Sequence, residues 1–236
     1  SSCKQMRYRV YTLESNLLAY RRQQILKNAR LYLVTAPAPD LLARVEAALV
    51  GGLTLVQYRD KQSNDIDRLA MAQQMCQLCH NYGALFILND RVDLALAVNA
   101  DGVHLGQQDV SIALAKQILG SQRIIGRSTT NPGEMAKAIE EGADYIGVGP
   151  VYETPTKAGK KAAGLEYVQH AAKHATVPWF AIGGIDSSNI DDVLQAGAPA
   201  IAIVRAIMGA DNPTHAVQFC LSILNRIVPV NKARDL

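Results

Sequence analysis

The stretch Leu31–Pro39, LYLVTAPAP, is a short apolar run followed directly by a proline-rich loop that contains no glycine. The apolar part has the length of a buried strand. A doubly wound, dinucleotide-binding sheet usually carries a glycine-rich fingerprint after its first strand. The loop at 35–39 therefore disfavours that open sheet, which is the main alternative among parallel β/α architectures.

From Leu31 onward, strand-sized apolar runs alternate with longer stretches of helical period, a pattern typical of strand and helix units on a parallel sheet. Eight runs predict strands at 31–35, 53–58, 85–89, 102–105, 124–127, 145–149, 179–182 and 200–204. Seven stretches predict helices at 40–50, 66–82, 111–119, 132–141, 165–174, 190–195 and 214–227. Eight units of this size predict one α/β domain, a (β/α)8 TIM barrel over residues 31–236.

Residues 1–30 precede this domain and hold seven basic residues and one acidic residue, a net charge of +6 that leaves −3 for the rest of the chain. Leu17, Leu18, Ile25 and Leu26 recur at helical spacing, so we predict a solvated amphipathic helix that forms an extension or linker. Organelle targeting and nucleic-acid binding are the alternatives for such a basic leader. Because the chain opens with Ser1 rather than Met, we also expect an upstream part.

The composition excludes several protein classes. Hydrophobic residues make up 49% of the 236 residues, and the mean hydropathy is +0.02. This is typical of a globular protein, and no apolar run reaches the length of a membrane span. Four scattered cysteines are too few for a disulfide scaffold. We therefore expect a cytoplasmic protein without disulfides.

The carboxyl ends of the predicted strands carry charged residues, and this is the end at which TIM barrels place their active sites. Arg59 and Lys61 follow the second strand and form a double cation suited to a diphosphate. Asp90 and Asp109 leave adjacent strands, an arrangement suited to Mg²⁺ bridged by phosphate oxygens. Taken one pair at a time, these residues are better explained as a solvated rim and two loop or helix caps. Together they favour an anion and metal site.

Two further loops are candidates for phosphate binding. Gly183 and Gly184 precede Asp186-Ser187-Ser188 at a predicted helix start, where exposed amides favour a phosphate, although a tight turn is the alternative. The loop 154–161 places hydroxyl groups and Lys157 after the sixth strand, where it could cover an anionic ligand. A Lys-rich loop is more often merely solvated. Only its position after the sixth strand favours a functional role for this loop.

These motifs together resemble the thiamine phosphate synthases, also called thiamine-phosphate pyrophosphorylases. The resemblance extends from about residue 31 to 227 and rests on motifs that occur in order and at family spacing. The motifs are Gln57-Tyr58-Arg59-Asp60-Lys61, Asn89-Asp90-Arg91, Asp101-Gly102-Val103-His104-Leu105-Gly106-Gln107, Gly149-Pro150 through Thr154-Pro155-Thr156-Lys157, and Ile182-Gly183-Gly184-Ile185.

The resemblance implies a transferase that joins an aminopyrimidine methyl diphosphate to a thiazole phosphate and releases pyrophosphate, with Mg²⁺ as cofactor. It implies that the pyrimidine diphosphate is held by Gln57, Arg59, Lys61, Asn89, Ser128 and Lys157. It implies that Mg²⁺ is held by Asp90 and Asp109. It implies that the thiazole phosphate is held by Thr154, Pro155, Thr156, Gly184, Val204 and Arg205. Arg59, Lys61, Ser128 and Lys157 would be the catalytic residues.

One departure and two alternatives accompany this resemblance. Arg205 lies where a serine is as readily expected, which has no effect if backbone amides hold the phosphate. A related group, the thiazole tautomerases, is expected to carry a histidine soon after the fifth strand and to lack the metal aspartate, whereas this chain has Ser128 and Asp90. A noncatalytic sensor would need no combined metal and leaving-group site. Small-molecule substrates are thus the expected partners, with no nucleic acid or membrane, and a homo-oligomer is left open.

Three histidine-containing patterns are interpreted as structural. Cys76-Gln77-Leu78-Cys79-His80 matches a haem-attachment motif, but it lies inside a predicted helix, so we expect buried or half-exposed cysteines. His170 and His174 share one helix face, which we interpret as solvated. His104 ends the fourth strand, and we expect a hydrogen-bonded core role for it.

Overall fold

The computed structural model describes residues 2–153 and 162–226, which form a closed barrel of eight parallel strands in chain order. The strands are β1 Leu31–Val34, β2 Leu55–Tyr58, β3 Leu85–Asn89, β4 Gly102–Leu105, β5 Ile124–Thr129, β6 Tyr145–Val148, β7 Trp179–Ile182 and β8 Ile201–Ile203. Each strand pairs with the next, and β8 closes on β1 through the Leu33 and Ile203 register. The TIM-barrel prediction is confirmed.

Ten helices occur within the described residues. They are α1 Ser2–Asn28, α2 Leu41–Val50, α3 Asp65–Asn81, α4 Val92–Ala97, α5 Ile112–Leu119, α6 Pro132–Glu140, α7 Gly164–His174, α8 Ile190–Gln195, α9 Arg205–Met208 and α10 Pro213–Leu224. The short helices α4 and α9 were not predicted, whereas α8, also short, has the predicted bounds. The last predicted helix ends at Leu224, three residues before its predicted end.

Side-chain caps set the starts of four of these helices. In each case the side chain before the first helical residue accepts a hydrogen bond from the backbone N–H three residues later, which satisfies a donor that the helix itself leaves unpaired. The caps are Asn64, Ser111, Asn131 and Asn212. Pro132 occupies the first turn of α6, so the predicted start of that helix is confirmed.

Two apolar layers hold the barrel together. The larger layer lies between the strands and the surrounding helices. The smaller one fills the barrel interior and includes Tyr32, Tyr145 and Phe180, whose rings contact each other edge to face. Gly126 makes room for this cluster, because a Cβ atom there would lie 2.1 Å from the Tyr145 ring. Bulky interior rings thus fill the middle of the barrel.

The end of α1 closes the opposite end of the barrel. Leu26 and Ala29 belong to the interior apolar cluster. Arg22 is buried and forms an ion pair of 2.8 Å with Asp101, which precedes β4. A helix over residues 1–30 was predicted, but the expectation that all of it is solvated is wrong for these last turns. The physical reason is that Leu26 and Arg22 complete the barrel core and neutralise a buried carboxylate.

Among the described residues, none of the helices is both long enough and apolar enough to cross a bilayer. Cys76, Cys79 and Cys220 are buried and Cys3 is exposed, and all four are free thiols. Burial raises the pKa of the Cys79 thiol. The Cys76 and Cys79 motif therefore lies in the packed face of α3, as the sequence analysis predicted. His170 and His174 stack with their ring centroids 4.2 Å apart.

Candidate functional site

The candidate site lies at the carboxyl ends of the strands and contains two adjoining cavities. The inner cavity, about 60 Å³, opens from the barrel interior. The outer cavity, about 310 Å³, lies beside the ends of β7 and β8. Ile182, Ala202 and Val204 line both cavities. Two bound groups would therefore meet at these three residues.

The inner cavity brings together four of the residues predicted to hold a pyrimidine diphosphate, namely Gln57, Arg59, Asn89 and Ser128. They come from the ends of three strands, with Gln57 and Arg59 both at the end of β2, and the barrel closure brings these strand ends together. The sequence analysis did not identify the aromatic residues of this cavity, Tyr32, Tyr145 and Phe180. Each aromatic residue lies two positions from another residue that lines the cavity, on the same strand. The alternation of side chains along a strand could therefore have predicted that these rings face the interior.

A chain of buried hydrogen bonds connects the two polar walls of the inner cavity. Ser128 Oγ lies 2.8 Å from His104 Nε2, and His104 Nδ1 lies 2.9 Å from the Tyr145 hydroxyl. The Tyr145 hydroxyl contacts that of Tyr32, which accepts a hydrogen bond of 2.8 Å from Gln57 Nε2. His104 therefore has the hydrogen-bonded core role that was predicted. We call these five residues the tyrosine relay.

The two tyrosines of the relay are neutral hydrogen-bonding groups. Burial raises the pKa of Tyr32 well above its ordinary value, and burial together with the adjacent Tyr32 raises that of Tyr145. Both phenols keep their protons because a charged phenolate inside the barrel is poorly solvated. The relay thus fixes side-chain orientation at the cavity wall without placing charge there.

The carboxylates predicted to bind metal meet at the rim of the inner cavity. Asp90 adopts a left-handed backbone conformation with φ of +61°, which turns the chain out of β3. Its carboxylate lies 3.1 Å from Lys61 Nζ and near enough to Asp109 to affect the titration of that carboxyl. Burial raises the pKa of Asp109, and the nearby Asp90 carboxylate raises it further, against a hydrogen bond of 2.6 Å from the Gly106 amide.

This arrangement fits a divalent cation. The two neighbouring carboxylates repel each other, and among the described residues the Lys61 ammonium lies against Asp90, so a cation between the carboxylates would be stabilised. Within residues 2–153 and 162–226 there is no cluster of three or more acidic, histidine or cysteine ligands. Mg²⁺ suits such a site because it retains water molecules and needs few protein ligands.

Three charged residues of the quoted motifs have structural roles. Asp60 accepts hydrogen bonds from the backbone and side chain of Ser63, which outweigh burial and lower the pKa of Asp60 to about 2. Arg91 forms exposed ion pairs with Asp65 and Asp93 and does not line either cavity. Asp101 lies at the opposite end of the barrel from the site.

Of the residues predicted to hold a thiazole phosphate, three lie in the described part of the chain, and all three line the outer cavity: Gly184, Val204 and Arg205. Gly184 has a φ of +69°, and a Cβ atom there would lie 2.8 Å from Tyr152 Cβ, so only glycine fits. Among the described residues, no acceptor contacts the Gly183 or Gly184 amide. These amides are therefore available to an anion.

Part of the phosphate prediction needs correction. Residues 187–189 form a turn, and α8 begins only at Ile190. The Ser188 amide, expected at a helix start, instead donates to the Asp186 carboxylate, and Asn189 Oδ1 accepts from the Asp186 amide. The reason is that both side chains satisfy the local backbone before a helix can form. Arg205 is exposed at the edge of this cavity.

Four predicted residues lie outside the described part of the chain. They are Thr154, Pro155, Thr156 and Lys157, together with the rest of the loop that ends at Lys161. The described residues on either side, Tyr152 and Ala163, pack against the main core.

The closed barrel and the two cavities define a TIM-barrel protein with a candidate ligand site at the carboxyl ends of its strands. A family model described as thiamine monophosphate synthase matches residues 31–207. The chain belongs to the thiamine monophosphate synthase family, as the motifs predicted.

Individual relatives agree with this assignment. The chain is 67% identical over 228 residues to a thiamine-phosphate synthase of Nostoc sp., covering 97% of this chain and 65% of that protein. It is 65% identical to the one of Synechocystis sp., covering 96% of this chain and 66% of that protein. The chain thus spans somewhat less than two thirds of the length of these curated relatives.

Solved structures support the same fold. A thiamine phosphate pyrophosphorylase from Pyrococcus furiosus superposes with a TM-score of 0.77 at 35% identity, covering 88% of this chain and 98% of that one. A 3-hexulose-6-phosphate synthase superposes with a TM-score of 0.62 at 16% identity over 82% of this chain and 98% of that one, which shows the shared barrel fold alone.

Proposed function

We propose that this chain carries out the thiamine phosphate synthase reaction, joining an aminopyrimidine methyl diphosphate to a thiazole phosphate with release of pyrophosphate. The observation that carries the proposal is the pair of adjoining cavities. One is lined by the residues expected for the first substrate and the other by residues expected for the second. Their shared wall would place the two reacting ends next to each other, and such proximity lowers the barrier of a two-substrate reaction.

The inner cavity would hold the pyrimidine ring. Tyr32 and Phe180 offer aromatic surface, while Gln57, Asn89 and Ser128 offer hydrogen-bonding groups for the ring nitrogens and amino group. The diphosphate would then extend toward Arg59 and Lys61 at the rim. Lys157, outside the described residues, would complete this set of cations. The proposal assigns catalytic roles to Arg59, Lys61, Ser128 and Lys157.

The outer cavity would hold the thiazole phosphate. The amides of Gly183 and Gly184 and the positive charge of Arg205 favour a phosphate there. Asp186 also lines this cavity, where hydrogen bonds from the Ser188 amide and hydroxyl to its Oδ1 lower its pKa and hold that oxygen against the local backbone. Thr154, Pro155 and Thr156, outside the described residues, would contact the same substrate. The thiazole ring would face the shared wall.

The reaction needs no general base at this site. The bond between the pyrimidine methylene carbon and the diphosphate oxygen breaks, and its electron pair leaves with pyrophosphate. The aminopyrimidine ring delocalises the positive charge on the methylene carbon. The thiazole nitrogen then donates its lone pair to that carbon without losing a proton. Arg59 and Lys61 stabilise the negative charge that develops on the leaving group, which is the kind of electrostatic effect that usually contributes most to catalysis.

We propose Mg²⁺ as the cofactor, held by Asp90 and Asp109. When bound, the ion would supply a positive charge to the pyrophosphate oxygens as the carbon to oxygen bond breaks. Lys61 contacts Asp90 and would lie between the metal ligands and the departing anion.

The direct test is a product assay with both substrates and Mg²⁺. We expect thiamine phosphate and pyrophosphate in equal amounts, and none when either substrate is omitted. Arg59→Gln should lower kcat by about two orders of magnitude or more, as for loss of one preorganised electrostatic contact. Arg91→Gln is the matched control, since that exposed guanidinium lines neither cavity, and its turnover should stay close to wild type.

Two outcomes would contradict the proposal. Folded wild type that forms no product, where a known synthase does, would favour the tautomerase or sensor interpretation. Equal losses in Arg59→Gln and Arg91→Gln would show that general surface charge, rather than the inner cavity, supports turnover.

A further inference from the structure

The helix α1 has two opposite faces. One face docks on the barrel through Ser15, Arg22 and Leu26, with Ser15 hydrogen-bonded to Gln122 and Arg22 paired with Asp101. At 3.6 residues per turn, the opposite side carries a stripe of apolar residues directed away from the barrel. These residues, which we call the outer stripe, are Met6, Val10, Leu13, Leu17 and Tyr20.

The outer stripe is exposed despite its apolar character. The exposed fractions are 63% for Met6, 49% for Val10, 62% for Leu13, 67% for Leu17 and 65% for Tyr20. Single exposed apolar residues are ordinary, whereas a contiguous row of large ones marks an interaction surface. The described part of the chain leaves this surface uncovered.

The spacing of the outer stripe identifies the kind of partner. The residues follow one another at intervals of four, three, four and three, which is the heptad pattern of a coiled coil. Val10 and Leu17 occupy a positions, and Met6, Leu13 and Tyr20 occupy d positions. Among parallel coiled coils, a β-branched residue at a with leucine at d, as at Val10 and Leu13, favours two helices. The partner is therefore another amphipathic helix.

The charges beside the stripe fit a second copy of the same helix. In a parallel, in-register pair, each g position faces the e position five residues later on the other helix. Arg9 at g would face Glu14 of the second copy, and Glu14 is the only acidic residue among the first 30. Arg7 and Arg21, the other charged e positions, would face Ser2 and Asn16. No like charges are opposed in this register.

We infer that two copies of this chain associate through the outer stripes of their α1 helices as a parallel two-stranded coiled coil. The docked face holds α1 against the amino-terminal end of the barrel, where Leu26 enters the interior cluster. The two cavities lie at the other end. Association would therefore leave both sites open, and separating the copies should not change turnover.

Mass measurement by light scattering on the full chain tests the inference. Wild type should show twice the 25.5 kDa of one chain. Leu13→Lys combined with Leu17→Lys should shift the mass to one chain and weaken association by at least about tenfold, because charge at a and d positions must be desolvated. Tyr8→Lys combined with Thr12→Lys is the matched control on exposed positions outside the stripe, and it should stay dimeric.

A charge exchange tests the parallel register separately. Arg9→Glu alone and Glu14→Arg alone should each weaken self-association, since each opposes like charges. Mixing the two variants should restore a dimer, because glutamate and arginine then face each other. Monomeric wild type, a dimer that survives the Leu13 and Leu17 changes, or a mixture no tighter than its components would each overturn the inference. Circular dichroism confirms folding of every variant.

Discussion

The hydroxyl groups of Tyr32 and Tyr145 lie 2.7 Å apart at the centre of the barrel, although 113 positions separate the two residues in sequence. Through Gln57 on one side and His104 with Ser128 on the other, this contact connects opposite walls of the inner cavity. The orientation of both walls therefore depends on one buried pair of phenols.

Removing one of these hydroxyls tests the relay. We expect Tyr145→Phe to lower the free energy of unfolding by about 1–3 kcal/mol, because buried partners lose their hydrogen bonds. We also expect a higher KM for the pyrimidine diphosphate, because Gln57 and Ser128 lose a fixed orientation. Tyr167→Phe removes another buried hydroxyl, bonded to Thr129 outside the relay, and should affect stability alone. Urea unfolding measures the loss of stability, and steady-state kinetics measures the change in KM. Equal KM values for Tyr145→Phe and Tyr167→Phe would contradict a role of the tyrosine relay in substrate binding.

The left-handed backbone of Gly184 gives a second prediction. Gly184→Ala adds a Cβ atom 2.8 Å from Tyr152 Cβ at a φ of +69°. We expect a raised KM for the thiazole phosphate, on the order of tenfold, because a displaced loop misplaces the substrate. Gly120→Ala is the control, since φ there is +84° but nothing lies within 4 Å of the new atom. It should cost about 1–2 kcal/mol of stability and leave KM unchanged. Similar KM values for the two variants would contradict a role of Gly184 in binding.

A substitution of Arg205 separates the contributions of backbone amides and side chain to binding of the thiazole phosphate. If the amides near Gly183 and Gly184 hold the phosphate, Arg205→Ser should change kcat/KM for the thiazole phosphate by only about threefold, as expected for an exposed charge. Measuring kcat/KM at low and high salt checks this interpretation. A loss of a hundredfold or more would show that the guanidinium itself is the main phosphate ligand.

The contact between His80 and Asp101 predicts a pH-dependent stability. Hydrogen bonding to Asp101, 2.9 Å away, raises the pKa of His80 to about 10 from an ordinary value near 6.5. A raised pKa means that the folded state holds the proton more tightly, so this contribution is complete below about pH 6.5 and is lost as the pH rises through about 10. The stability difference between wild type and His80→Gln should therefore shrink across that range. Urea unfolding at several pH values measures this stability difference. A difference that stays constant with pH would contradict the raised pKa of His80.

The barrel itself was predictable from the sequence because each strand is a short apolar run with its own local boundaries. All eight strands were found, three of them with their exact bounds and five with errors of one or two residues at one end or both. The site residues at the cavity mouths were also predictable, since residues after a parallel strand converge at one end of a barrel. Gln57, Arg59, Asn89 and Ser128 meet for that reason.

Features that depend on distant partners were not predictable. In the sequence, Arg22 resembles the other basic residues of the first segment, which are predicted to be solvated. Its burial depends on the ion pair with Asp101, which lies 79 positions later in the chain. The tyrosine relay likewise depends on strand register, which apolar runs do not specify. The helix at 190–195 was predicted with its exact bounds, but the Asp186 and Asn189 hydrogen bonds that satisfy the backbone of the preceding turn are not revealed by composition.

The most direct test of the central claim is magnesium-dependent formation of thiamine phosphate by wild type, Asp90→Asn and Asp93→Asn. Asp93 is a nearby carboxylate that pairs with Arg91 at the surface, so its variant controls for the loss of charge. We predict that wild type and Asp93→Asn form product only with Mg²⁺, and that Asp90→Asn forms essentially none. Turnover that is independent of Mg²⁺, or that survives in Asp90→Asn, would contradict the proposed metal site and mechanism.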